Sequence, residues 1–273
     1  MRRLAVLGSP IGHSQSPALH RAAYARLGLD WEYTAIEMDG SRLGGFIDGL
    51  DASWRGLSLT MPLKQDVLPM LDHLDDVALF TGAANTVVFD EGSRRGFNTD
   101  IGGIVGALAE SDVHRVARGA IVGAGATALS ALVAMAELGA GDVRVLVRRP
   151  GAAQPVLELG RRLGVRVDEA PISALAEIDD VDLVISTLPG SAGLDVVPDP
   201  NLASTAPLLD VAYDPWPTAI GASWLEAGGR VVHGLGMLLH QALLQVRIFV
   251  NGDPHVPLDD EADVLAVMRD ALR

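Results

Sequence analysis

The chain has 273 residues, 49% hydrophobic and 21% charged, with 35 acidic side chains against 21 basic ones and a net charge of −14. That length suits two modest α/β domains. The acidity argues against nucleic acid and anionic membranes as partners, since both need a basic face. The absence of cysteine rules out disulfides and thiolate metal sites and fits a reducing cytoplasm. No stretch approaches the ~20 apolar residues of a membrane span, and the apolar run after Met1-Arg-Arg3 is too short for a signal-peptide core.

In chain order, Arg3–Leu7 reads as a strand and Pro17–Leu27 as a helix, with Pro17 placed for a first helical position and Gly28 for a stop. Trp31–Glu37 alternates as a strand, Ser41–Leu50 is helical and Gly56–Leu59 is a short strand. Two strands, Thr86–Phe89 and Arg94–Phe97, flank a hairpin turn at Asp90-Glu-Gly-Ser93. A second block begins near Ile101. It holds strand Gly119–Gly123, helix Ala126–Leu138, strand Asp142–Val147, helix Pro155–Leu163 and strands Val181–Ser186, Leu208–Val211 and Arg230–Val232. The long apolar helix Gly236–Val250 follows, and a last amphipathic helix, Asp259–Leu272, is expected to return to the first block. Strands alternating with helices imply mainly parallel sheets covered on both faces. In such folds ligands collect beyond the carboxyl ends of the strands, so the cleft between the two blocks is where chemistry is expected.

The stretch Val122-Gly-Ala-Gly-Ala-Thr127 sits in a complete strand–turn–helix–strand frame, the unit that lays a dinucleotide pyrophosphate on a helix N-terminus. Gly123 allows the tight turn, Gly125 removes a Cβ from the path of the phosphate, and Ala128 stands where a third glycine is usual while still permitting close packing. Ala124, Ala126 and Thr127 complete the turn. The second strand ends in Arg148-Arg149-Pro150 with no carboxylate. Guanidinium groups suit a 2′-phosphate, whereas an acidic residue there would suit a ribose hydroxyl, so the cofactor is read as NADP. The histidines His13, His20, His73 and His240 show no metal-ligand spacing, and no metal is expected.

Polar clusters recur where strands end: Ser9–His20, Ser58-Leu-Thr-Met-Pro-Leu-Lys64, Gly82–Thr86, Gly96–Gly103, the glycine turn, Asp210-Val-Ala-Tyr-Asp-Pro215 and Gly234–Gln241. In this order and at these spacings, the series resembles the shikimate dehydrogenase family over essentially the whole chain. The resemblance implies two α/β domains around a cleft, a substrate-binding domain from 1–100 plus 240–273 and a Rossmann-like NADP domain from 101–239. The reaction implied is reversible reduction of 3-dehydroshikimate to shikimate by NADPH, in chorismate and aromatic amino-acid biosynthesis.

That reaction needs a proton donor, carboxylate anchors, partners for ring hydroxyls and a nicotinamide pocket. Lys64 and Asp100 match the family's catalytic pair: an ammonium can supply the proton and stabilise a developing alkoxide, and the carboxylate can orient it. Ser14 and Ser16 resemble the carboxylate anchors, with Tyr213 completing that end; Ser16-Pro17 would also make an ordinary helix cap. Thr60, Asn85 and Gln241 resemble the hydroxyl-binding set, amides being able both to donate and to accept. The family further implies Thr187, Val211, Gly234 and Met237 around the nicotinamide and its ribose, with Asp76 near the cofactor's reactive end.

Two positions depart from the family's pattern. Ser58 stands where Asn is usual, so a weaker or water-mediated contact to a ring hydroxyl is expected. Val147-Arg148-Arg149 replaces Asn-Arg-Thr, losing one adenosine-side hydrogen bond and adding positive charge, with NADP preference expected to persist. A quinate or aminoshikimate dehydrogenase of the same superfamily is the nearest alternative, and a catalytically silent nucleotide or metabolite sensor is another. Retention of both Lys64 and Asp100 argues against the sensor. A homodimer is left open as the assembly.

Overall fold

The computed structural model describes residues 1–90, 92–194 and 196–272. In chain order its elements are β1 (Arg2–Gly8), α1 (Ser16–Arg26), β2 (Trp31–Glu37), α2 (Gly40–Asp48), β3 (Trp54–Leu59), α3 (Leu63–Asp66), β4 (His73–Leu74), α4 (Asp76–Thr81), β5 (Thr86–Asp90), β6 (Ser93–Phe97) and α5 (Asp100–Glu110). Then come β7 (Arg118–Val122), α6 (Ala126–Glu137), β8 (Asp142–Val147), α7 (Gln154–Leu163), β9 (Arg166–Pro171), β10 (Leu183–Ser186), α8 (Pro200–Thr205), β11 (Leu208–Asp210), α9 (Ala219–Glu226), β12 (Val231–His233), α10 (Gly234–Asn251) and α11 (Glu261–Asp270). The chain divides into two compact units, Met1–Gly103 with Leu238–Arg273, and Ile104–Met237.

The first unit is built on a six-stranded sheet in the order β2-β1-β3-β5-β6-β4. Its β1, β2 and β3 run parallel, while β5 is antiparallel to both β3 and β6. β1 shows why both faces are covered. Leu4 and Val6 pack into one core with Leu19, Tyr24, Tyr33, Val246, Phe249 and Met268, whereas Ala5 and Leu7 enter another with Leu43, Ile47, Leu57 and Leu63. Alternate side chains of a strand point to opposite faces, and here both sets are apolar. α11 lies against α1, and Arg26 pairs with Asp263 at 2.7 Å and with Asp260 at 3.2 Å. The expected hairpin is present as the β5–β6 pair, which closes with Asp90 opposite Ser93; Glu91 at its tip lies outside the described residues.

The second unit is a fully parallel sheet in the order β12-β11-β10-β7-β8-β9. This is the doubly wound order, with its reversal point between β7 and β10. Trp224 is fully buried and donates its indole N–H to the Ala206 carbonyl at 3.0 Å, satisfying the polar edge of a ring that would otherwise be costly to bury. β10 begins at Leu183, two residues later than the apolar run suggests. The reason is Asp182, whose carboxylate accepts from the N–H groups of Ala117 and Arg118 at 2.7 and 2.9 Å and so occupies the start of the ladder. The helices α3, α4, α8 and α9 and the strands β4 and β9 are not among the elements read from the sequence.

The first unit buries His20 completely, stacked on Tyr33 with ring centroids 4.0 Å apart. Burial holds its pKa down to about 3, so the unfolded chain binds this proton first as pH falls. Stability is then full above the unfolded value near 6.5 and erodes as pH drops toward 3. Replacing His20 with Phe, which keeps a ring over Tyr33 but cannot titrate, should remove about 2 kcal/mol of the stability loss between pH 7 and pH 5. Urea unfolding of both proteins at the two pH values checks this; parallel losses would refute it.

Candidate active site and cofactor turn

A cluster of buried polar groups lies in the first unit at the carboxyl end of β3. The backbone sets it up. Thr60 N–H donates to the Leu7 carbonyl at 2.9 Å, extending the parallel pairing beyond β3, and the Met61-Pro62 step turns the chain into α3. That short helix carries Lys64, whose backbone carbonyl accepts from Ala84 N–H at 2.8 Å. Lys64 Nζ lies 2.5 Å from Asp100 Oδ2, with the two side chains 14% and 5% exposed. A pair this well shielded keeps much of its Coulomb attraction, and an ammonium–carboxylate hydrogen bond is stronger than a neutral one.

Asn85 ties the carboxylate to the sheet. Its Nδ2 donates to Asp100 Oδ1 at 2.8 Å and to Thr99 Oγ1 at 2.9 Å. Its Oδ1 accepts from the Thr99 N–H at 3.0 Å and from Thr86 Oγ1 at 2.8 Å. Gln241 on α10 joins them, its Oε1 lying 3.5 Å from Asn85 Nδ2 and 3.4 Å from Thr99 Oγ1. Asp100 is held by its backbone as well, since its N–H donates to Asn98 Oδ1 at 3.0 Å and Asn98 Nδ2 donates to Thr81 Oγ1 at 3.0 Å. Lys64, Asn85, Asp100 and Gln241 therefore form one hydrogen-bonded set, and Thr99 belongs to it though sequence reasoning passed it over. Its signal was its place between Asn98 and Asp100 ahead of a helix.

Ser14 and Ser16 sit at the start of α1, Ser14 half-buried and Ser16 buried. The cap expected of Ser16 is not made by its side chain: Ser16 is the first helical residue, Gln15 is the N-cap without a side-chain bond, and Ser14 Oγ accepts from the Ser16 N–H at 3.4 Å. The loop before them is pinned by Glu37, a residue periodicity marks only as a strand end. Its carboxylate accepts from Ser9 Oγ at 2.5 Å and from the Ile11 N–H at 3.0 Å. Ser58 is bonded within the unit. It is 3% exposed, accepts from Tyr33 Oη at 2.7 Å and donates to Gln245 Oε1 at 2.9 Å, so its single proton is committed inside the unit. Asp76 is the exposed first residue of α4.

In the second unit the glycine turn follows β7, beside the sheet's reversal point. Gly123 takes φ +109°, and a Cβ there would collide with Thr187 Oγ1; Thr187 in turn donates from both N and Oγ1 to the Val122 carbonyl, at 2.8 and 3.0 Å. A Cβ at Gly125 would meet nothing within 4 Å, and no side chain caps α6. The turn thus faces open space with the first N–H groups of a 12-residue helix directed into it, the arrangement that accepts a pyrophosphate. Ala124, Ala126 and Thr127 are half-buried around it, and Ala128 is fully buried against the sheet. Val211 N–H donates to the Ser186 carbonyl at 3.0 Å. Gly234 opens α10 so close to the chain that a Cβ would lie 2.5 Å from the Val211 carbonyl oxygen. Met237 is 7% exposed on the same helix, and Tyr213 is half-buried on the loop after β11.

Arg148 and Arg149 are exposed just beyond β8, and Arg148 donates to the Gly193 carbonyl. These residues fit the phosphate of an NADP adenosine: two adjacent exposed guanidinium groups stand at the end of β8. The loop behind them is ordered by Glu169, whose carboxylate accepts from the N–H groups of Gly151 and Ala153 at 2.7 and 2.9 Å. Glu169→Ala should speed amide hydrogen exchange at Gly151 and Ala153 by about tenfold or more, the loss expected for one charge-assisted bond, with β8 unchanged. Exchange followed by NMR checks this, and unaltered protection at both amides would refute it.

Known proteins resemble this chain over its whole length. A family model described as the shikimate dehydrogenase substrate binding domain matches residues 6–87. A shikimate dehydrogenase (NADP(+)) of Methanothermobacter thermautotrophicus is 33% identical over 278 residues, covering 98% of this chain and 94% of the relative. The crystal structure of Mycobacterium tuberculosis shikimate dehydrogenase superposes with a TM-score of 0.84 at 38% identity, covering 100% of this chain and 99% of that one. The Thermus thermophilus shikimate 5-dehydrogenase, solved in complex with NADP(H) and shikimate, gives 0.80 at 31% identity over 99% and 100% of the two chains. By whole-length identity and by fold, the chain belongs to the shikimate dehydrogenase family.

Proposed function

We propose that this protein catalyses the reversible NADPH-dependent reduction of 3-dehydroshikimate to shikimate, a step of aromatic amino-acid biosynthesis, as expected of a chain whose relatives are named shikimate dehydrogenase (NADP(+)). The observation that carries the reading is the shielded Lys64–Asp100 pair, 2.5 Å apart, tied through Asn85 to a buried amide and hydroxyl set. A sensor that only bound its ligand would have no use for an acid/base pair kept out of water.

The chain's own groups divide the work. Lys64 Nζ holds a proton for the oxygen that becomes the hydroxyl in reduction, and its charge stabilises that oxygen as it turns alkoxide-like. Asp100 Oδ2 aims the ammonium, while Asp100 Oδ1 is already engaged by Asn85. Thr60 and Gln241 offer donors and acceptors for ring hydroxyls, while Asn85 would reach one only by exchanging its bond to Thr99 Oγ1; a site built on such bonds discriminates strongly against an analogue lacking one of them. Ser14, Ser16 and Tyr213 are proposed for the carboxylate. NADP, when bound, supplies or accepts the hydride. Gly123, Ala124, Gly125, Ala126 and Thr127 would hold its pyrophosphate, Arg148 and Arg149 its 2′-phosphate, and Thr187, Val211, Gly234, Met237 and Asp76 its nicotinamide end. On this reading unit 1 is the substrate domain and unit 2 the cofactor domain, in a reducing compartment suited to a chain without cysteine.

The test is shikimate oxidation followed by cofactor absorbance, with NADP⁺ and NAD⁺ side by side and quinate as rival substrate. Turnover is expected with shikimate and NADP⁺, and Lys64→Ala should lower kcat by about 10²-fold or more, as loss of a general acid does, with a far smaller change in KM. Preference for quinate or for NAD⁺ would reassign the substrate or the reading of Arg148 and Arg149. NADPH binding without turnover would sink the enzymatic reading.

A further inference from the structure

Behind the catalytic pair, the amide of Gln245 makes four hydrogen bonds within unit 1, and only one orientation satisfies all of them. Its Nε2 lies 3.1 Å from the backbone carbonyl of Asn85. A carbonyl can only accept, so Nε2 donates there and also to Thr86 Oγ1 at 3.0 Å. Oε1 is then the acceptor for Ser58 Oγ at 2.9 Å and for His20 Nε2 at 3.2 Å.

The polarity of the surrounding groups follows. His20 carries its proton on Nε2, and its bare Nδ1 accepts from the Tyr24 hydroxyl at 3.1 Å. Ser58, with its proton directed at Gln245, accepts from Tyr33 Oη. Thr86, accepting from Gln245, has one proton left and directs it to Asn85 Oδ1 at 2.8 Å. The Thr99 N–H reaches the same oxygen, so the end of Asn85 presented to Asp100 is its NH2. Gln245 is 2% exposed and Thr86 and His20 are fully buried, which makes each unmade bond in this chain expensive.

We propose that Gln245 and Thr86 are positioning residues for the Lys64–Asp100 pair, aiming the Asn85 amide at Asp100 from behind the site. The inference rests on the proposed function. Gln245 acts in two ways. Through Thr86 it loads the oxygen of the Asn85 side chain, leaving the NH2 to hold Asp100 Oδ1 and thereby leaving Oδ2 to Lys64. Through the Asn85 backbone carbonyl it pegs α10 to the sheet, one helical turn from Gln241, and residues four apart share a helix face. Gln241 is thus brought to the side chain of the same asparagine whose main chain Gln245 holds. Ser58 belongs to this chain rather than to the substrate: its hydroxyl and those of Tyr33 and Thr86 fill a space that a longer amide at position 58 would have to share.

Two substitutions at Thr86 separate positioning from packing. Thr86→Val keeps the shape and loses the hydroxyl, whereas Thr86→Ser loses the methyl and keeps the hydroxyl. In the full-length protein, Thr86→Val should lower kcat for shikimate oxidation by about tenfold, the size of one lost buried hydrogen bond, with KM within about threefold, and Thr86→Ser should restore most of it. A readout independent of turnover is the exchange of the Asn85 side-chain NH2 protons, followed by NMR. It should be slow in the wild type and Thr86→Ser and faster in Thr86→Val, so a failure of the proposed reaction would not hide the result. Should Thr86→Val fail to fold, Gln245→Glu, equal in shape but without the two donors, carries the same expectation for kcat and for the Asn85 NH2. Wild-type exchange of the Asn85 NH2 in a folded Thr86→Val or Gln245→Glu protein would overturn the proposal, as would equal losses of kcat in Thr86→Val and Thr86→Ser.

Discussion

Asn85 is the point on which the first unit's chemistry depends. An amide in water is free to turn, but this one is buried, and both of its ends are spoken for by groups whose polarity leaves no choice. The Thr99 N–H and the Thr86 hydroxyl meet its oxygen, and its nitrogen meets Asp100. A carboxylate held this way has one oxygen committed to the protein and one left for Lys64. The ion pair by itself would be a poor organiser, because desolvating two charges costs several kcal/mol per ion and is repaid only where the remaining lone pairs are satisfied. The bond from Asn85 Nδ2 to Asp100 Oδ1 supplies that satisfaction for the carboxylate, and the bond from Asp100 N–H to Asn98 fixes its backbone.

The parts arrive from distant places in the chain because each sits where a strand or helix ends. Lys64 comes from the short helix after β3, Asn85 from the residue before β5, Thr99 and Asp100 from the segment after β6, and Gln241 and Gln245 from one face of α10. Antiparallel pairing of β5 with both β3 and β6 places Ser58, Thr86 and Phe97 in one row across three strands. One buried helix above that row can then reach all of them. The second unit solves a different problem with backbone alone: a positive-φ glycine, an uncapped helix N-terminus and open space before it make a seat for an anion.

Much of this was legible in the sequence because it depends on local rules. The glycine turn announced itself through its strand and helix, and the basic end of β8 through two adjacent arginines. The hairpin at Asp90–Ser93 and the long apolar α10 followed from turn residues and run length. The family motifs pointed to Lys64, Asp100, Asn85 and Gln241 together. What escaped were residues whose types are ordinary and whose partners are remote. Glu37 at a strand end and Glu169 in a segment that periodicity does not assign look like ordinary solvated carboxylates, yet each collects two donors from a loop. Ser58 looked like a shortened substrate contact and proved to face Tyr33 and Gln245.

By itself, then, the sequence determined the class of fold and the strand–turn–helix frame of the glycine turn, and it pointed to the proposed reacting groups, because strand and helix periods, glycine turns and motif spacing are written in neighbouring residues. Only the tertiary structure decided the direction of the hydrogen bonds that hold those groups. Gln245 lies 160 residues from Asn85 in the chain and 225 from His20. Which end of an amide donates is settled not by its own type but by the acceptor-only carbonyl or donor-only N–H that folding brings against it.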